Sequence, residues 1–297
     1  MKLATFDMPA GERRCGVVRD GAVTLLDSPD LRTLYERGDP LAQAEAASGE
    51  ELPLADLTLR APIEPRKFFH TAGNFREHEE ESKQVDWSHK IAPWIVFFQN
   101  IDAIIGPEEP VIYPDHLTKE LDYELELAVI IAKAGRDFGP DEAAEYVGGY
   151  TIFNDITARD IQRREMESGV FSFCKSIHTF CPLGPWIVLP DELPDAHDLA
   201  MELRVNGEPF QRSHSSRMAV TIPEIISHYS PMGYSPGDVL STGTVSGVAG
   251  FRADADDYYL KPGDVMEAEI ERIGVLRNPV VARGAATAAE AATADTA

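Results

Sequence analysis

Short runs in which apolar and polar residues alternate recur along this 297-residue chain and predict a fold built mainly from β-strands. Residues 2–7 and 15–26 are the first such runs, and Asp20-Gly21 inside the second is a favoured pair for a tight hairpin turn. A weakly helical stretch follows, and then the prolines within residues 53–65 interrupt regular structure. The pattern therefore predicts a small β-rich unit that ends near residue 60.

The rest of the chain is also dominated by strand-like runs. Helical periodicity fits a few segments that are too irregularly spaced for a fold of repeated βαβ units, namely residues 75–84, 140–147, 156–167 and 221–230. The residues after Arg283 are of low complexity, which predicts disorder. The sequence therefore predicts a mainly β, α+β protein with a small N-terminal domain over residues 1–60, a large domain over residues 61–283 and a disordered tail over residues 284–297.

Composition narrows the range of partners. The 50 acidic and 27 basic residues give a formal net charge of -23 at pH 7, which repels phosphate backbones and anionic lipid headgroups. We therefore expect neither nucleic acid nor membrane as a partner. A small anionic molecule can still be attracted by a metal ion and a few cationic side chains.

The chain is expected to stay in the cytoplasm. Its first residues lack the apolar core of a signal peptide, and no run approaches the roughly 18 apolar residues of a membrane helix. The three cysteines, Cys15, Cys174 and Cys181, cannot all pair within one chain, and their spacing matches no zinc site. Reduced thiols are therefore expected.

A run of alternating residues at positions 120–131 places two carboxylates on one face of a strand. Glu124 and Glu126 are two residues apart, so their side chains project in parallel. A third carboxylate from another strand would complete an oxygen site for a hard divalent cation. The alternative is that these residues form only the solvated face of an antiparallel strand, where alternating acidic residues are common.

Asp155 is the natural third ligand. It ends the strand-like run 150–155 just before a helical segment, and functional side chains are common at such strand ends. Asp155 could instead accept hydrogen bonds at the start of that helix, although Thr157 with Asp160 three residues later makes a better capping box. A metal role and a structural role both stay open at this point.

A second candidate site lies on the predicted helix 75–84. His78 and Glu81 are three residues apart, so a helix places the imidazole and the carboxylate on one face. The carboxylate would hold the ring in one tautomer, and the pair could then abstract a proton and later return it near neutral pH. The alternative is a solvated charged helix, because Glu79 and Glu80 lie in the same run.

Lys175 and a glycine-rich turn complete the candidates. Lys175 lies among aromatic and apolar residues, and a buried ammonium requires an anionic partner. Beside the metal it would balance the one negative charge by which three carboxylates exceed a divalent ion, whereas at the surface it would have no such role. The turn around Gly243 and Thr244 would expose backbone N–H groups to an anion, although such turns are common between strands.

Taken together and in this order, several segments resemble the fumarylacetoacetate hydrolase superfamily from about Pro65 to Val281. One such motif would be weak evidence, but seven in register make a specific match. They are GNFREHEEE (73–81), LDYELELAVII (121–131), FNDITARDIQ (153–162), CKSIHTFCPLGPW (174–186), VNGEPFQ (205–211), PGDVLSTGT (236–244) and YLKPGDVMEAEIERIGVLRN (259–278).

The resemblance implies a mixed β-sandwich roll that is usually a homodimer and that binds Mg²⁺ or Mn²⁺. The residues it assigns are the metal ligands Glu124, Glu126 and Asp155, the catalytic pair His78 and Glu81 on a mobile lid, and Lys175, Arg159, Gln162 and Thr244 near the metal or the substrate. A structural salt bridge to a neighbouring acid would explain Arg159 equally well.

The resemblance also implies an enzyme that acts on a small 2-oxo acid. We expect first a hydrolase that cleaves a carbon–carbon bond of an acylpyruvate or fumarylpyruvate-like acid, with a water activated by His78 and Glu81 and an enolate held by the metal. Decarboxylation of an oxaloacetate-like acid or isomerisation of a dienedioate is the alternative. A non-catalytic scaffold that binds a metabolite is a third hypothesis.

Three positions depart from the pattern of the family. Gln99 stands where lysine is frequent, His178 stands where aspartate is frequent, and Val245 follows the TGT segment where proline is frequent. The expected metal ligands are unaffected. Pocket residues set the substrate, so the substrate stays open within the reaction class.

Overall fold

The structure, a computed structural model, describes residues 1–84 and 94–285. The predicted disordered tail therefore lies outside the described residues, apart from its first two positions. The helices are α1 (Leu31–Glu36), α2 (Pro40–Glu45), α3 (Arg76–Gln84), α4 (Pro140–Ala143), α5 (Arg159–Met166) and α6 (Ile222–Tyr229). The strands are β1 (Lys2–Asp7), β2 (Arg13–Arg19), β3 (Ala22–Leu25), β4 (Glu51–Pro53), β5 (Thr58–Arg60), β6 (Phe68–Thr71), β7 (Val96–Phe98), β8 (Ile104–Ile105), β9 (Val111–Tyr113), β10 (Leu121–Asp122), β11 (Leu125–Ile131), β12 (Val147–Asn154), β13 (Thr157–Ala158), β14 (Cys181–Val188), β15 (Ala200–Val205), β16 (Glu208–His214), β17 (Val239–Thr244), β18 (Val265–Ile270) and β19 (Gly274–Ala282).

Twelve of these strands form one large mixed sheet. Its order is β4-β3-β2-β1-β14-β12-β11-β17-β6-β7, with β5 paired to β1 and β8 paired to β14. Most pairs are antiparallel, whereas β17 with β6 and β14 with β8 are parallel. A five-stranded sheet has the order β16-β15-β18-β19-β9, and β10 pairs with β13. This sheet-rich α+β architecture confirms the predicted fold class.

The strands of the first 60 residues join the large sheet rather than a sheet of their own. β1 pairs with β2, and its first two residues, Lys2 and Leu3, also pair with the end of β14. The predicted hairpin is confirmed between β2 and β3. Asp20 and Gly21 both have positive φ, at 47° and 80°, which a two-residue turn of this kind requires.

The central strand β11 is buried on both faces. Leu125 and Leu127 on one face belong to the main hydrophobic core, and Ala128 and Ile130 on the other face belong to a second core cluster. Glu126 shares the second face and is only 3% exposed. The interpretation of this acidic run as the solvated face of a strand is therefore wrong.

Each of the predicted helical segments contains a helix, but the predicted capping box before α5 is wrong. The residue that precedes α5 is Ala158, and no side chain caps that end. The Thr157 hydroxyl instead donates to the backbone carbonyl of Asp155 (2.9 Å), and Asp160 accepts a hydrogen bond from Thr118 (2.6 Å). Among the described residues, no helix is both long enough and apolar enough to cross a membrane.

Candidate active site

The acidic segment that contains Glu124 and Glu126 does not form one continuous strand. β10 ends at Asp122 and β11 begins at Leu125, so Glu124 lies in the break between two strands. On the neighbouring strand, Asn154 is opposite Leu125, and the backbone N–H of Asp155 donates to the carbonyl of Glu124 (2.8 Å). The pairing of β11 with β12 therefore brings Asp155 beside Glu124, although 30 residues separate them in the chain.

Glu124 is held by two cationic side chains. Its Oε1 accepts a hydrogen bond from Nη2 of Arg159 (2.6 Å), and its Oε2 accepts one from Nζ of Lys175 (2.8 Å). Burial alone would raise the pKa of this carboxyl, but the charges of Lys175 and Arg159 prevail and lower the pKa to about 2. Glu124 is therefore ionised across the physiological range of pH.

The pKa values of Asp155 and Glu126 are raised rather than lowered. Burial, which their cationic neighbours do not fully offset, raises the pKa of Asp155 to about 7 and, together with the negative charge of Glu124, raises that of Glu126 to about 8. Glu126 accepts hydrogen bonds from the Ser241 hydroxyl and the Gly243 backbone. Oδ1 of Asp155 is buried and has no hydrogen-bond partner within residues 1–84 and 94–285.

Lys175 joins the carboxylates, as its sequence environment predicts for a buried ammonium. It is 2% exposed, and its Nζ donates to Oδ2 of Asp155 (2.5 Å), to Glu124 and to the Thr157 hydroxyl (2.8 Å). Burial tends to lower the pKa of this ammonium, but the adjacent carboxylates raise it above the ordinary lysine value. The alternative that Lys175 reaches the surface is wrong.

Arg159 projects from the first turn of α5 and is engaged on all three nitrogens. Its Nε donates to Asp122 (2.7 Å), its Nη1 donates to Gln162 (2.8 Å), and its Nη2 donates to Glu124. Asp122 in turn accepts hydrogen bonds from the backbone N–H groups of Ala249 and Gly250 (2.9 and 2.8 Å). Arg159 is thus a buried structural cation that also fixes Glu124.

His78 and Glu81 lie on one face of α3 without forming a hydrogen bond. Nδ1 of His78 is 3.7 Å from Oε2 of Glu81, and this nitrogen has no hydrogen-bond partner among the described residues. Both oxygens of Glu81 instead accept the backbone N–H of Gly247 (2.8 and 3.0 Å). His78 is buried, and its ring lies 4.9 Å from that of Phe251, so the interpretation of α3 as a fully solvated helix is wrong.

The hydroxyl of Thr244 is already used within the protein. It donates to the carbonyl of Leu125 (3.2 Å) and lies 3.1 Å from the side-chain nitrogen of Gln211. Gly243 has a φ of 89°, and a Cβ there would lie 3.0 Å from the carbonyl oxygen of Thr71. Only glycine fits this close approach without strain.

The predicted residues converge on one cavity of about 40 Å³. Glu81 is the predicted residue that does not line it, because its carboxylate is turned toward Gly247. Three aromatic side chains, Phe97, Phe171 and Phe251, close parts of the wall. The predicted residues that line the cavity are His78, Glu124, Glu126, Asp155, Arg159, Gln162, Lys175 and Thr244.

His70 is a site residue that sequence reasoning missed. It is fully buried near the end of β6, and its Nδ1 lies 3.7 Å from Oε2 of Glu126 and 4.0 Å from Oδ2 of Asp155. Burial lowers the pKa of the imidazole to about 4, so the ring is neutral at pH 7. A histidine within the apolar run FFHT was the available signal, but its position depends on the parallel pairing that sets His70 opposite Ser241.

These residues fit a divalent cation. Potential ligand atoms of His70, Glu126 and Asp155 all lie within 4.8 Å of one another, and the buried Oδ1 of Asp155 still lacks a partner in the described part of the chain. Glu124, which was predicted as a ligand, is not a member of this group. Its carboxylate is adjacent, but it is occupied by Arg159 and Lys175.

Comparison with known proteins places this chain in a family. Residues 67–281 match the family model described as fumarylacetoacetate (FAA) hydrolase C-terminal, and residues 1–62 match one described as Rv2993c-like, N-terminal. A curated relative, the protein of Rattus norvegicus named oxaloacetate tautomerase Fahd2a, mitochondrial, is 36% identical over 253 residues, which cover 83% of this chain and 78% of that protein.

Solved structures show the same fold. Fumarylacetoacetate hydrolase from Exiguobacterium antarcticum superposes with a TM-score of 0.80 and 34% identity, covering 95% of this chain and 100% of that one. Maleylpyruvate hydrolase from Sphingobium sp. SYK-6, in complex with manganese(II) ion and pyruvate, superposes with a TM-score of 0.75 and 27% identity, covering 95% and 99%. The extent of these matches shows that the chain belongs to the fumarylacetoacetate hydrolase family.

Proposed function

We propose that this protein is a divalent-metal-dependent hydrolase that cleaves a carbon–carbon bond of a small 2,4-dioxo acid, such as an acylpyruvate or a fumarylpyruvate-like compound. One observation carries the proposal. A single cavity contains the imidazole of His78, whose Nδ1 is unpaired in the described part of the chain, and a buried carboxylate cluster in which Asp155 presents an unpaired oxygen. A proton-accepting group and a cation site are the two parts that this reaction needs.

Glu126, Asp155 and the adjacent Glu124 would hold the cation. Carboxylate oxygens suit both Mg²⁺ and Mn²⁺. A bound ion would act as a Lewis acid that polarises the 2-oxo group and stabilises the negative charge that develops as the neighbouring bond breaks. The manganese(II) ion and pyruvate in the Sphingobium structure support this type of ion and a pyruvate-containing substrate.

His78 would perform the proton transfers. Its Nε2, the ring nitrogen that does not face Glu81, accepts a proton from water, and the hydroxide formed attacks the carbonyl carbon remote from the carboxylate. The carbon–carbon bond then breaks, its electron pair remains on the 2-oxo acid fragment, and His78 returns the proton to the carbon of that fragment. Oε2 of Glu81, 3.7 Å from Nδ1, needs only a small movement to accept a hydrogen bond from that nitrogen and stabilise the protonated ring.

The remaining cavity residues would set the size and orientation of the substrate. Arg159 is fully occupied and acts by holding Glu124, whereas the side-chain nitrogen of Gln162 is a candidate donor to a substrate carboxylate. A cavity of about 40 Å³ holds only a few water molecules. Binding of a dioxo acid would therefore require part of the cavity wall to move outward.

A second candidate reaction is tautomerisation of oxaloacetate. The rat relative carries that name, and in this structure Glu81 is bound to Gly247 rather than to His78. A keto–enol exchange needs one group that moves a proton between carbon and oxygen, so His78 alone would suffice. It does not need an activated water.

The two reactions are separated by product analysis of the purified protein loaded with Mn²⁺ or Mg²⁺. With acetylpyruvate and fumarylpyruvate, a hydrolase removes the enol absorbance and releases pyruvate, which lactate dehydrogenase detects. With oxaloacetate, a tautomerase changes the enol absorbance without releasing pyruvate or carbon dioxide, and a decarboxylase releases both. A metal-loaded protein that changes none of these compounds contradicts the proposal and favours a binding scaffold.

The His78→Ala variant tests the role of the imidazole. It should keep metal binding and lose at least about 100-fold in turnover, since general acid–base catalysis contributes about that much. Glu80→Gln, an exposed position on the same helix, is the matched control and should retain full turnover. Unchanged turnover in His78→Ala would remove the imidazole from the reaction.

A further inference from the structure

The packing around His70 fixes the orientation of its ring. Phe97 stacks on one face with ring centroids 4.4 Å apart and planes 5° apart, and Phe68 stacks at 4.8 Å and 15°. Two aromatic rings therefore stack on the imidazole and fix its plane. The two nitrogens make their polar contacts in that plane, at the edge of the ring.

Neither nitrogen of His70 has a hydrogen-bond partner in the described ranges 1–84 and 94–285. The side chain is fully buried. Native proteins rarely leave buried polar atoms unpaired, because the lost hydration is not recovered. A second unpaired atom, Oδ1 of Asp155, belongs to the same cluster. Two unpaired groups in one cluster indicate a missing common partner.

The distances around Nδ1 suit a shared ion better than a hydrogen bond. Nδ1 of His70 lies 3.7 Å from Oε2 of Glu126 and 4.0 Å from Oδ2 of Asp155, which is too long for direct hydrogen bonds. Two ligand atoms that are each about 2.1 Å from one ion can be at most about 4.2 Å apart. Both distances fall within this limit, and because all three ligand atoms lie within 4.8 Å of one another, a shift of about 0.6 Å would bring the whole group within it.

We propose that Nδ1 of His70 is a ligand of the divalent cation, which Glu126 and Asp155 hold with it. Glu124 would complete this ligand set from the position in which Arg159 and Lys175 hold it. The inference rests on the proposed function only in that this site binds a divalent ion. It does not depend on which 2-oxo acid is the substrate.

A nitrogen ligand changes which ion the site prefers. Mg²⁺ strongly favours oxygen ligands, whereas imidazole suits first-row transition ions, whose affinity for mixed nitrogen and oxygen sites rises from Mn²⁺ toward Zn²⁺. The cluster of His70, Glu126 and Asp155 should therefore select Mn²⁺, Fe²⁺ or Co²⁺ over Mg²⁺. A site made only of carboxylates would discriminate less between these transition ions and Mg²⁺.

The test is direct spectroscopy of the bound ion in the full-length protein. The wild type, freed of metal by chelation and reloaded with Mn²⁺, should show pulsed-EPR coupling to a directly coordinated nitrogen. In His70→Phe, which preserves the aromatic stack, this coupling should vanish. Calorimetric titration should show Mn²⁺ affinity reduced about tenfold or more and Mg²⁺ affinity reduced less.

Control variants isolate the role of His70. His78→Ala removes the other imidazole of the cavity and should retain the nitrogen coupling. The thermal midpoint of metal-free His70→Phe shows whether that variant is folded, and His70→Gln replaces it if it is not. Nitrogen coupling that persists in a folded His70 variant overturns the proposal.

The outcomes also separate this inference from the proposed function. Mn²⁺ bound to the wild type without nitrogen coupling overturns the role of His70 and leaves the hydrolase proposal intact. Nitrogen coupling with no turnover of any 2-oxo acid overturns the hydrolase proposal alone. A wild type that binds neither Mn²⁺ nor Mg²⁺ overturns both.

Discussion

At the scale of single residues, the carboxyl groups of the site differ in their charge state. Glu124 is kept ionised by Arg159 and Lys175, whereas the pKa values of Asp155 and Glu126 are raised to about 7 and 8 by burial that their cationic neighbours do not fully offset. In the metal-free protein these two groups retain protons at a pH where exposed carboxyls have lost them. A divalent cation would replace those protons.

The stability of the metal-free protein should therefore fall as the pH rises. Between about pH 4.5 and 8 the folded state holds protons on Asp155 and Glu126 that the unfolded chain has released, so a higher pH favours unfolding. Urea unfolding in EDTA should give a free energy of unfolding lower by roughly 1–3 kcal/mol at pH 8 than at pH 6.

Bound metal should stabilise the protein more as the pH rises. Because the ion binds the deprotonated carboxylates, the rise in thermal midpoint on adding Mn²⁺ should be larger at pH 8 than at pH 6. Measurement in buffers of equal ionic strength keeps surface charge effects comparable. A metal-induced shift that shrinks as pH rises contradicts the assignment of these carboxyls as ligands.

Replacement of one ligand should separate metal binding from folding. Glu126→Gln keeps the shape and the Ser241 contact of the side chain but cannot carry the negative charge. We expect Mn²⁺ affinity and metal-dependent turnover to fall at least about 100-fold, with a metal-free thermal midpoint near that of the wild type. Glu208→Gln, at an exposed position, is the control and should change neither quantity.

Sequence patterns revealed the site residues whose placement depends on one local element, and they missed one whose placement depends on the pairing of distant strands. The i, i+3 spacing of His78 and Glu81 needs only one helix, and α3 forms where the pattern predicts it. His70 enters the site through the parallel pairing of β6 with β17, which no local pattern specifies. Thr157 has the sequence context of a helix cap, but the buried Lys175 binds its hydroxyl instead.

At the scale of elements, α3 is attached to the rest of the protein by two acidic side chains. Near its start Glu77 accepts hydrogen bonds from Ser213 and Arg217, and one turn later Glu81 accepts the N–H of Gly247. The helix carries only nine residues, too few to be stable in isolation. Its position over the cavity therefore depends on these contacts and on the packing of Phe75 and Phe251.

Removal of one attachment should loosen the helix without unfolding the protein. Glu77→Ala loses both the Ser213 and the Arg217 contacts, so amide hydrogen exchange in residues 76–84 should accelerate about fivefold, equivalent to about 1 kcal/mol. Lys83→Ala disrupts only an exposed pair with Glu79 on the same helix and should have little effect. Equal exchange in both variants contradicts this attachment.

At the scale of the whole molecule, an apolar strip marks the edge of the large sheet. Among residues 1–84 and 94–285, β7 is the last strand on that side, and exposed apolar side chains lie along and beside it, with Phe98 50% exposed. They are Trp94, Ile95, Phe98 and Ile101. Exposed edge strands with apolar side chains favour pairing with another chain, which agrees with the expectation of a homodimer.

The homodimer prediction is tested by mass in solution. Light scattering should give twice the 32.7 kDa mass of one chain for the wild type. Phe98→Asp places a charge on the apolar strip and should shift the protein toward one chain, whereas Val275→Asp, on an exposed position of β19, should leave the mass unchanged. A wild type with the mass of a single chain contradicts the prediction.

The pairing of β1 with the far end of β14 fixes when β1 can complete its hydrogen bonds during synthesis. Lys2 is paired with Val188, so this ladder cannot close until residue 188 has been made. Such distant pairing slows folding, because a long loop must be closed before the contact gains any stability. Assembly of the cavity, whose lining residues extend from Thr71 to Phe251, likewise waits until residue 251 has been made.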